Sequence, residues 1–483
     1  MTAVPTPATD PPPTAPRVAP RRSLAPDIAR GLMLALIAIA NVSWYLWGHE
    51  GSVGTTPHVP AQSSVDWAVQ VLMTVAVDHR AMPLFAFLFG YGMVQFYRSR
   101  LDRGMAPRIV RVMMRRRHWA MLLLGLLHAA LLFYGDILGA YAVAGLLLVW
   151  IFFGRRTRTL MIWIGVLIAL MVLFALFSIV SAISLVYFAP PEVIASMESG
   201  SFGMGLVRDY AYGQPYLVSI LARLAVWAMG LLPGALLLTP LAVLLGWVAA
   251  RHRVLDEPWR HTHLLTRTAI VGITIGWLGG VPDALLITGA IGLPESVGWA
   301  FSGLNSLAGV ACGVGYAAAF GLLAAHAEGR VRSTATTEPT AGPDQAAAPT
   351  DRASRKVRRR EAAAAEAALT PAQRAYGASA SAVVTTTAAE PRALTRALSA
   401  VGQRSLTFYL FQSLMLAPLM AEWGLGLGVR LSTASAVGIA IGVWLISLPI
   451  AAWMDAQKLR GPAELLLRRL TYGRHDPQAA GRS

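Results

Sequence analysis

Apolar runs long enough to cross a lipid bilayer, separated by short stretches dense in arginine, leave this chain very few folds. The clearest instance is RRRHWAMLLLGLLHAALLFYGDILGAYAVAGLLLVW, from Arg115 to Trp150. Three arginines open it and an apolar helix follows. The polar step Tyr134-Gly135-Asp136 then interrupts it, and a second apolar helix is predicted from about Ile137. Hydrocarbon offers the backbone no hydrogen-bond partners, so a lipid-embedded segment satisfies its own amides and carbonyls as a helix. The chain therefore reads as all-α, a polytopic helix bundle in a membrane. Charged residues make up 14% of it and hydrophobic ones 55%, whereas soluble domains are about 25% charged. A net charge of +16 would suggest nucleic acid for a soluble protein. Here the arginines sit in short loops between apolar runs, the pattern of cytoplasmic loops, so the expected partner is the lipid bilayer and no nucleic acid.

Ten spans are expected, at about 31–48, 82–97, two within 115–150, then 159–188, 224–249, 267–287, 298–326, 405–422 and 433–454. Between Arg98 and Arg117 eight arginines face one aspartate, Asp102, the strongest marker of an inner loop. The alternation puts both termini inside. Residues 1–26 read as a disordered cytoplasmic tail and 27–326 as spans one to eight. A disordered basic linker is expected at 327–395, spans nine and ten with a C-terminal segment at 396–473, and a tail at 474–483. Arg223 starts an apolar run at the outer edge, where snorkelling is its ordinary role. Pro282-Asp283 reads as a helix break carrying a carboxylate. Cys312 is the only cysteine, so an intramolecular disulfide and a thiolate metal cluster are excluded; its surroundings are those of a small buried residue.

His128 lies eleven residues beyond Arg117, ~16 Å at ~1.5 Å per residue and near the middle of a ~30 Å hydrocarbon core. An ionisable group at that depth is a functional candidate, with a packing histidine between helices as the bland alternative. Asp136 is eight residues further, and contact between the two requires a bend at Gly135. Asn41 lies within the first span, and Asp27 and Arg30 flank its inner end as D-x-x-R, spaced to pair. Asp78-His79-Arg80 leads into the second span, and Gln412 lies within the ninth. The histidines show no metal-ligand spacing, and no metal is expected.

Several pieces of the chain carry a resemblance: DIARGLMLALIAIAN at 27–41, FLFGYG at 87–92, GLLHAALLFYGDILGAYAVAGLL at 125–147, GQRSLTFYLFQSL at 402–414 and GPAELLLRRLTYG at 461–473. Taken in order, they resemble the YeiB-like family of bacterial membrane proteins (domain of unknown function 418). The linker at 327–395 is not part of the shared pattern. That family is in turn distantly similar to the transmembrane acyltransferases, including the heparan-alpha-glucosaminide N-acetyltransferases. Those enzymes move an acyl group from cytoplasmic acyl-CoA onto a sugar across the membrane. The shared piece is Arg30-Gly31 leading to Asn41. In the heparan enzymes an active-site histidine follows in the next outer loop. His49 and His58 are nearest here and neither falls at that spacing, so the base is assigned to His128.

The resemblance implies an acyltransferase of the bacterial cell membrane, with acyl-CoA as co-substrate and a glycan or lipid-linked acceptor. His128 would be the general base, as neutral imidazole suits near pH 7. Asp136 would orient it or bind the acceptor, and Asn41 would donate to the oxyanion. Arg115, Arg116, Arg117 and Arg30 would hold the CoA phosphates. Asp27, Asp78, His79, Arg80 and Gln412 are the expected substrate contacts. The competing expectation is a proton-coupled small-solute transporter, suggested by ten spans, intramembrane His and Asp, and Pro282. A third is a membrane scaffold whose linker recruits partners.

Overall fold

The computed structural model describes residues 24–49, 57–190, 204–291, 297–334 and 393–472, with positions 192, 193 and 293. The expected tail up to residue 23, the linker over 335–392 and the tail from 473 lie outside these residues. Every regular element among the described residues is helical. Seven helical segments are long and apolar enough to cross a membrane, and three shorter apolar helices, Ile137–Phe152, Pro240–Arg251 and Ser405–Met420, accompany them.

Local chemistry sets most boundaries. Helix α1 (Ala25–Val42) opens on Pro26, whose missing amide costs nothing in a first turn. Helix α2 (Ser64–Ala76) is capped by Ser63, whose hydroxyl accepts from the Asp66 amide at 3.1 Å. Helix α3 (Ala81–Leu101) ends on Arg98 and Arg100, and α4 (Pro107–Leu131) begins again at a proline. Helix α5 (Ile137–Phe152) is capped by Asp136, and α6 (Thr157–Phe188) turns large apolar side chains such as Leu173, Phe174 and Phe177 outward, as a lipid-facing helix does.

The single span expected at 224–249 is divided. After α7 (Met204–Tyr212), α8 (Tyr216–Pro233) and α9 (Pro240–Arg251) are joined by a π-helical segment, Gly234–Leu238. Proline at 233 and 240 removes two ladder donors, and the backbone widens between them. Thr239 Oγ1 donates to the Gly234 carbonyl at 2.7 Å, satisfying one of the groups in this wider turn. Pro282 behaves in the opposite way. The expected break is absent, and α10 (Thr262–Ile287) continues through it. Its neighbour α11 (Ser302–Thr334) packs against Gly272 and Gly276 of α10 so closely that a side chain there would meet Ala311 or Cys312. Such contact supports a helix that continues through a proline. Cys312 is buried and free, as expected.

The remaining helices are α12 (Ala393–Gln403), α13 (Ser405–Met420), α14 (Thr433–Ala456) and α15 (Pro462–Tyr472). Helix α11 thus continues past the expected linker start at 327, and α12 begins before its expected end at 395. A side chain at Gly402 would collide with the Asp27 carbonyl, so α12 lies directly against the first turn of α1. The arginine-rich ends of α1, α3, α4 and the start of α13 are thereby gathered on one face, with α15 beside them.

Candidate functional site

The break that ends α4 sets the first piece of geometry. Leu132 and Phe133 both donate to the His128 carbonyl, the chain turns through Tyr134-Gly135, and Asp136 starts α5. His128 and Asp136 therefore meet across a helical hairpin rather than along one helix. His128 Nδ1 lies 2.8 Å from Asp136 Oδ1, and the other carboxylate oxygen accepts from the Gly139 amide at 2.8 Å. Gly125 makes the approach possible, since a side chain there would strike Asp136 Oδ2 and the Gly139 amide. An ionised carboxylate only accepts, so it fixes the proton on Nδ1 and leaves the Nε2 lone pair available. Nε2 is buried and has no hydrogen-bond partner.

Tyr409 of α13 completes this group. Its hydroxyl donates to Asp136 Oδ1 at 3.4 Å and accepts from the Ile137 amide at 3.3 Å, and its ring lies 5.1 Å from the imidazole. Tyr409 also lines a cavity of about 1140 Å³. On α3 the lining runs from Phe85 to Arg100, fifteen residues and ~22 Å of helix at ~1.5 Å per residue. The deep end is formed by Phe85, Leu138 and Tyr409, and the walls by Met93, Phe96, Met114 and Met121. The opposite end carries Arg98, Arg100, Arg103, Arg468 and Tyr472, with Asp27, Arg30 and Arg117 on the lining as well.

Of the three carboxylates on the lining, Asp102 is exposed and the other two are already engaged. Asp27 accepts from Arg30 at 3.2 Å, and Glu464 accepts from the Leu406 and Thr407 amides at 2.8 and 3.2 Å, capping α13. Arg98 pairs with Asp256. Arg100 donates to the Tyr472 hydroxyl at 2.5 Å and lies over the Phe96 ring at 4.1 Å. Among the described residues no carboxylate pairs with Arg100, Arg103 or Arg117. The cavity is cationic at one end and apolar along its walls. His118 lines it, 1% exposed, with both ring nitrogens unpartnered. Sequence reasoning passed over His118; its signal was a histidine ten residues before His128 on the same apolar helix.

The other expected residues fall in different places. Arg115 and Arg116 are exposed and turned away from the cavity, because successive helical positions point ~100° apart and only Arg117 shares the inward face. Gln412 is buried and donates to the Leu34 carbonyl at 2.9 Å, tying α13 to α1. Asn41 is half-buried near the end of α1, and among the described residues no hydrogen bond joins it to His128 or Asp136. Asp78 and Arg80 belong to a separate buried network. His58 Nε2 lies 2.7 Å from Asp78 Oδ2 and its Nδ1 3.4 Å from Ser43 Oγ. Arg80 donates to the Asp78 carbonyl at 2.5 Å, to the Gly276 carbonyl at 2.6 Å and to Asn305, which donates to Asp283 at 2.5 Å. His79 is exposed, at positive φ. Arg223 does not snorkel: it is fully buried, held by the Ala130 and Ala211 carbonyls at 3.0 and 2.9 Å.

Residues 249–338 and 356–474 match the family model described as protein of unknown function (DUF418). The matched segments include Gln403, Tyr409 and Glu464 of the cavity, while His118, His128 and Asp136 precede them. Only 339–355 separates the two segments, so both ends of the 327–395 linker fall inside the matched region rather than outside the shared pattern. The chain is also similar to the uncharacterized protein YxaH of Bacillus subtilis (strain 168), 30% identical over 226 residues, 44% of this chain and 53% of that protein. It thus spans about half the length of that relative. No solved structure matches the chain.

Proposed function

We propose, from the premise that this chain belongs to the YeiB-like DUF418 family of membrane proteins, that it is a membrane-embedded acyltransferase. In this reading it moves an acyl group from acyl-CoA to a hydroxyl- or amine-bearing acceptor. The observation that carries the reading is an imidazole–carboxylate pair with a free Nε2, one tyrosine away from a deep cavity that is cationic at one end. Arg100, Arg103 and Arg117, which pair with no carboxylate among the described residues, suit the 3′-phosphate and pyrophosphate of CoA, bidentate groups matching a guanidinium fork. The methionine and phenylalanine walls suit a pantetheine and acyl tail, and His118 supplies a polar contact among them. By the positive-inside rule the arginine-rich face is cytoplasmic, with both termini on that side in a bacterial plasma membrane.

His128 Nε2 takes the proton from the acceptor as its oxygen or nitrogen attacks the thioester carbonyl. Asp136 holds the imidazolium that forms. Tyr409, on the cavity surface, turns its single O–H from the long contact with Asp136 to the oxyanion and so takes the donor role assigned from sequence to Asn41. As the carbon–sulfur bond breaks, the departing CoA thiolate recovers the proton from His128. Labelled acyl-CoA incubated with the purified protein and a panel of glycan and lipid acceptors tests this through release of free CoA. His128→Gln keeps hydrogen bonding but cannot act as a base, and the expected loss is about 10²–10⁴-fold. Full activity in that variant would make His128 a packing residue.

A second reading, a proton-coupled carrier, rests on the buried Arg80–Asn305–Asp283 network beside Asp78 and His58. Solute-dependent proton flux in proteoliposomes, with no CoA release, would favour it.

A further inference from the structure

On the side of His128 opposite the cavity, two arginines are buried without a counter-ion among the described residues. Arg208 and Arg223 are each 0% exposed. Arg208 spends one nitrogen on the Pro57 carbonyl at 2.7 Å; its Nε and Nη2 have no partner. Arg223 Nη2 is likewise unpartnered. Beside them the Tyr45 and Tyr212 hydroxyls are buried, their rings 4.8 Å apart, and Arg223 lies 6.0 Å from the centre of the Tyr212 ring. The nearby acid, Asp209, is half-buried and accepts from the Gly48 amide at 2.6 Å. Among the described residues neither arginine is in a salt bridge.

A guanidinium stays protonated when buried and offers only donors. Two of them without a carboxylate form a costly arrangement that an anion relieves. The three unfilled nitrogens, Arg208 Nε and Nη2 and Arg223 Nη2, carry five N–H donors, more than the two oxygens of a carboxylate accept comfortably and a match for the three or four oxygens of a phosphoryl group. The cluster also adjoins the catalytic pair. Arg223 Nε grips the Ala130 carbonyl at 3.0 Å, two residues past His128, and Phe133 lies between the imidazole at 6.2 Å and the Tyr45 ring at 5.0 Å.

We propose that Arg208 and Arg223, with Tyr45 and Tyr212, form a phosphate-binding subsite for the acceptor, on the far side of His128 from the acyl donor. This rests on the acyltransferase reading and narrows its acceptor to a phosphate-bearing molecule, either a lipid with a phosphodiester headgroup or a soluble phosphate ester.

The full-length protein in detergent is heated in inorganic phosphate and in sodium chloride at matched ionic strength. Wild type should unfold at a higher temperature in phosphate. Arg100→Gln, which weakens the cavity's own cationic end, should keep that upward shift, whereas Arg208→Gln should lose it. If Arg208→Gln does not fold, Arg208→Lys keeps the charge but not the fork and should bind phosphate at least tenfold more weakly. In a second arm the protein is taken from phosphatidylglycerol nanodiscs and its retained lipids are counted by native mass spectrometry. One lipid lost in Arg208→Gln assigns the subsite to a headgroup; stabilisation by phosphate with no lipid lost assigns it to a soluble ester. No phosphate shift in wild type together with no lipid lost in the variant overturns the proposal, as does a phosphate shift unchanged in Arg208→Gln. None of these readouts involves CoA release, so a failure of the acyltransferase reading is seen separately.

Discussion

Both oxygens of Asp136 are in use, one capping α5 at the Gly139 amide and one holding the His128 imidazole. The two roles separate on mutation. Asparagine is as good an N-cap as aspartate, so Asp136→Asn should change stability by less than ~1 kcal/mol. Its amide can present N–H to the imidazole, which moves the ring proton to Nε2 and removes the base. Acyl transfer should therefore fall by about 10²–10⁴-fold with the melting temperature nearly unchanged. Asp136→Ala loses the cap as well and should cost ~0.5–2 kcal/mol of stability. Thermal unfolding and CoA release measured on both variants check this. An Asn variant with full activity would confine Asp136 to capping.

Among the helices, α10 and α11 approach closely at Gly276, where an added methyl would sit inside the Cys312 side chain. Overpacking of this kind typically costs ~1–3 kcal/mol. Gly276→Ala should destabilise the protein by that amount, and Cys312→Gly in the same chain should restore much of the loss, because it vacates the space. A double-mutant cycle on thermal unfolding measures the coupling, and additive effects would show that the two positions are not in contact. The same strip positions Arg80, which donates to the Gly276 carbonyl at 2.6 Å. Helix packing and the buried polar network are thus one structure.

For the molecule as a whole, the arginine asymmetry fixes an expected orientation. With Cys312 replaced by alanine, single cysteines at Ser199 and Ala347 should react differently with a membrane-impermeant thiol reagent on intact cells. Ser199→Cys, in an outer loop by the charge rule, should label, and Ala347→Cys should not. The reverse pattern would invert the topology and put the cationic end of the cavity outside, away from cytoplasmic acyl-CoA.

The sequence by itself determined the class of the fold and most helix positions. Apolar length, terminal prolines, caps such as Ser63 and Asp136, and arginine clusters are local signals, and they act on the residues that carry them. It also marked His128, Asp136, Asp27 and Arg30, because ionisable groups inside or beside apolar runs are conspicuous in one dimension. It erred where a neighbour decides. Pro282 does not break α10, which packs along α11, while the prolines at 233 and 240 open a π segment that no apolar run announces. Which side of a helix faces a cavity depends on what packs against it, so Arg117 and His118 line the site while Arg115 and Arg116 do not. Tyr409 reaches Asp136 across 273 positions of chain. Arg208 and Arg223 look like isolated outer arginines until α7 and α8 fold them against the end of α4. Contacts between distant segments, and the burial they create, exist only once the chain has closed on itself, and tertiary structure alone decides them.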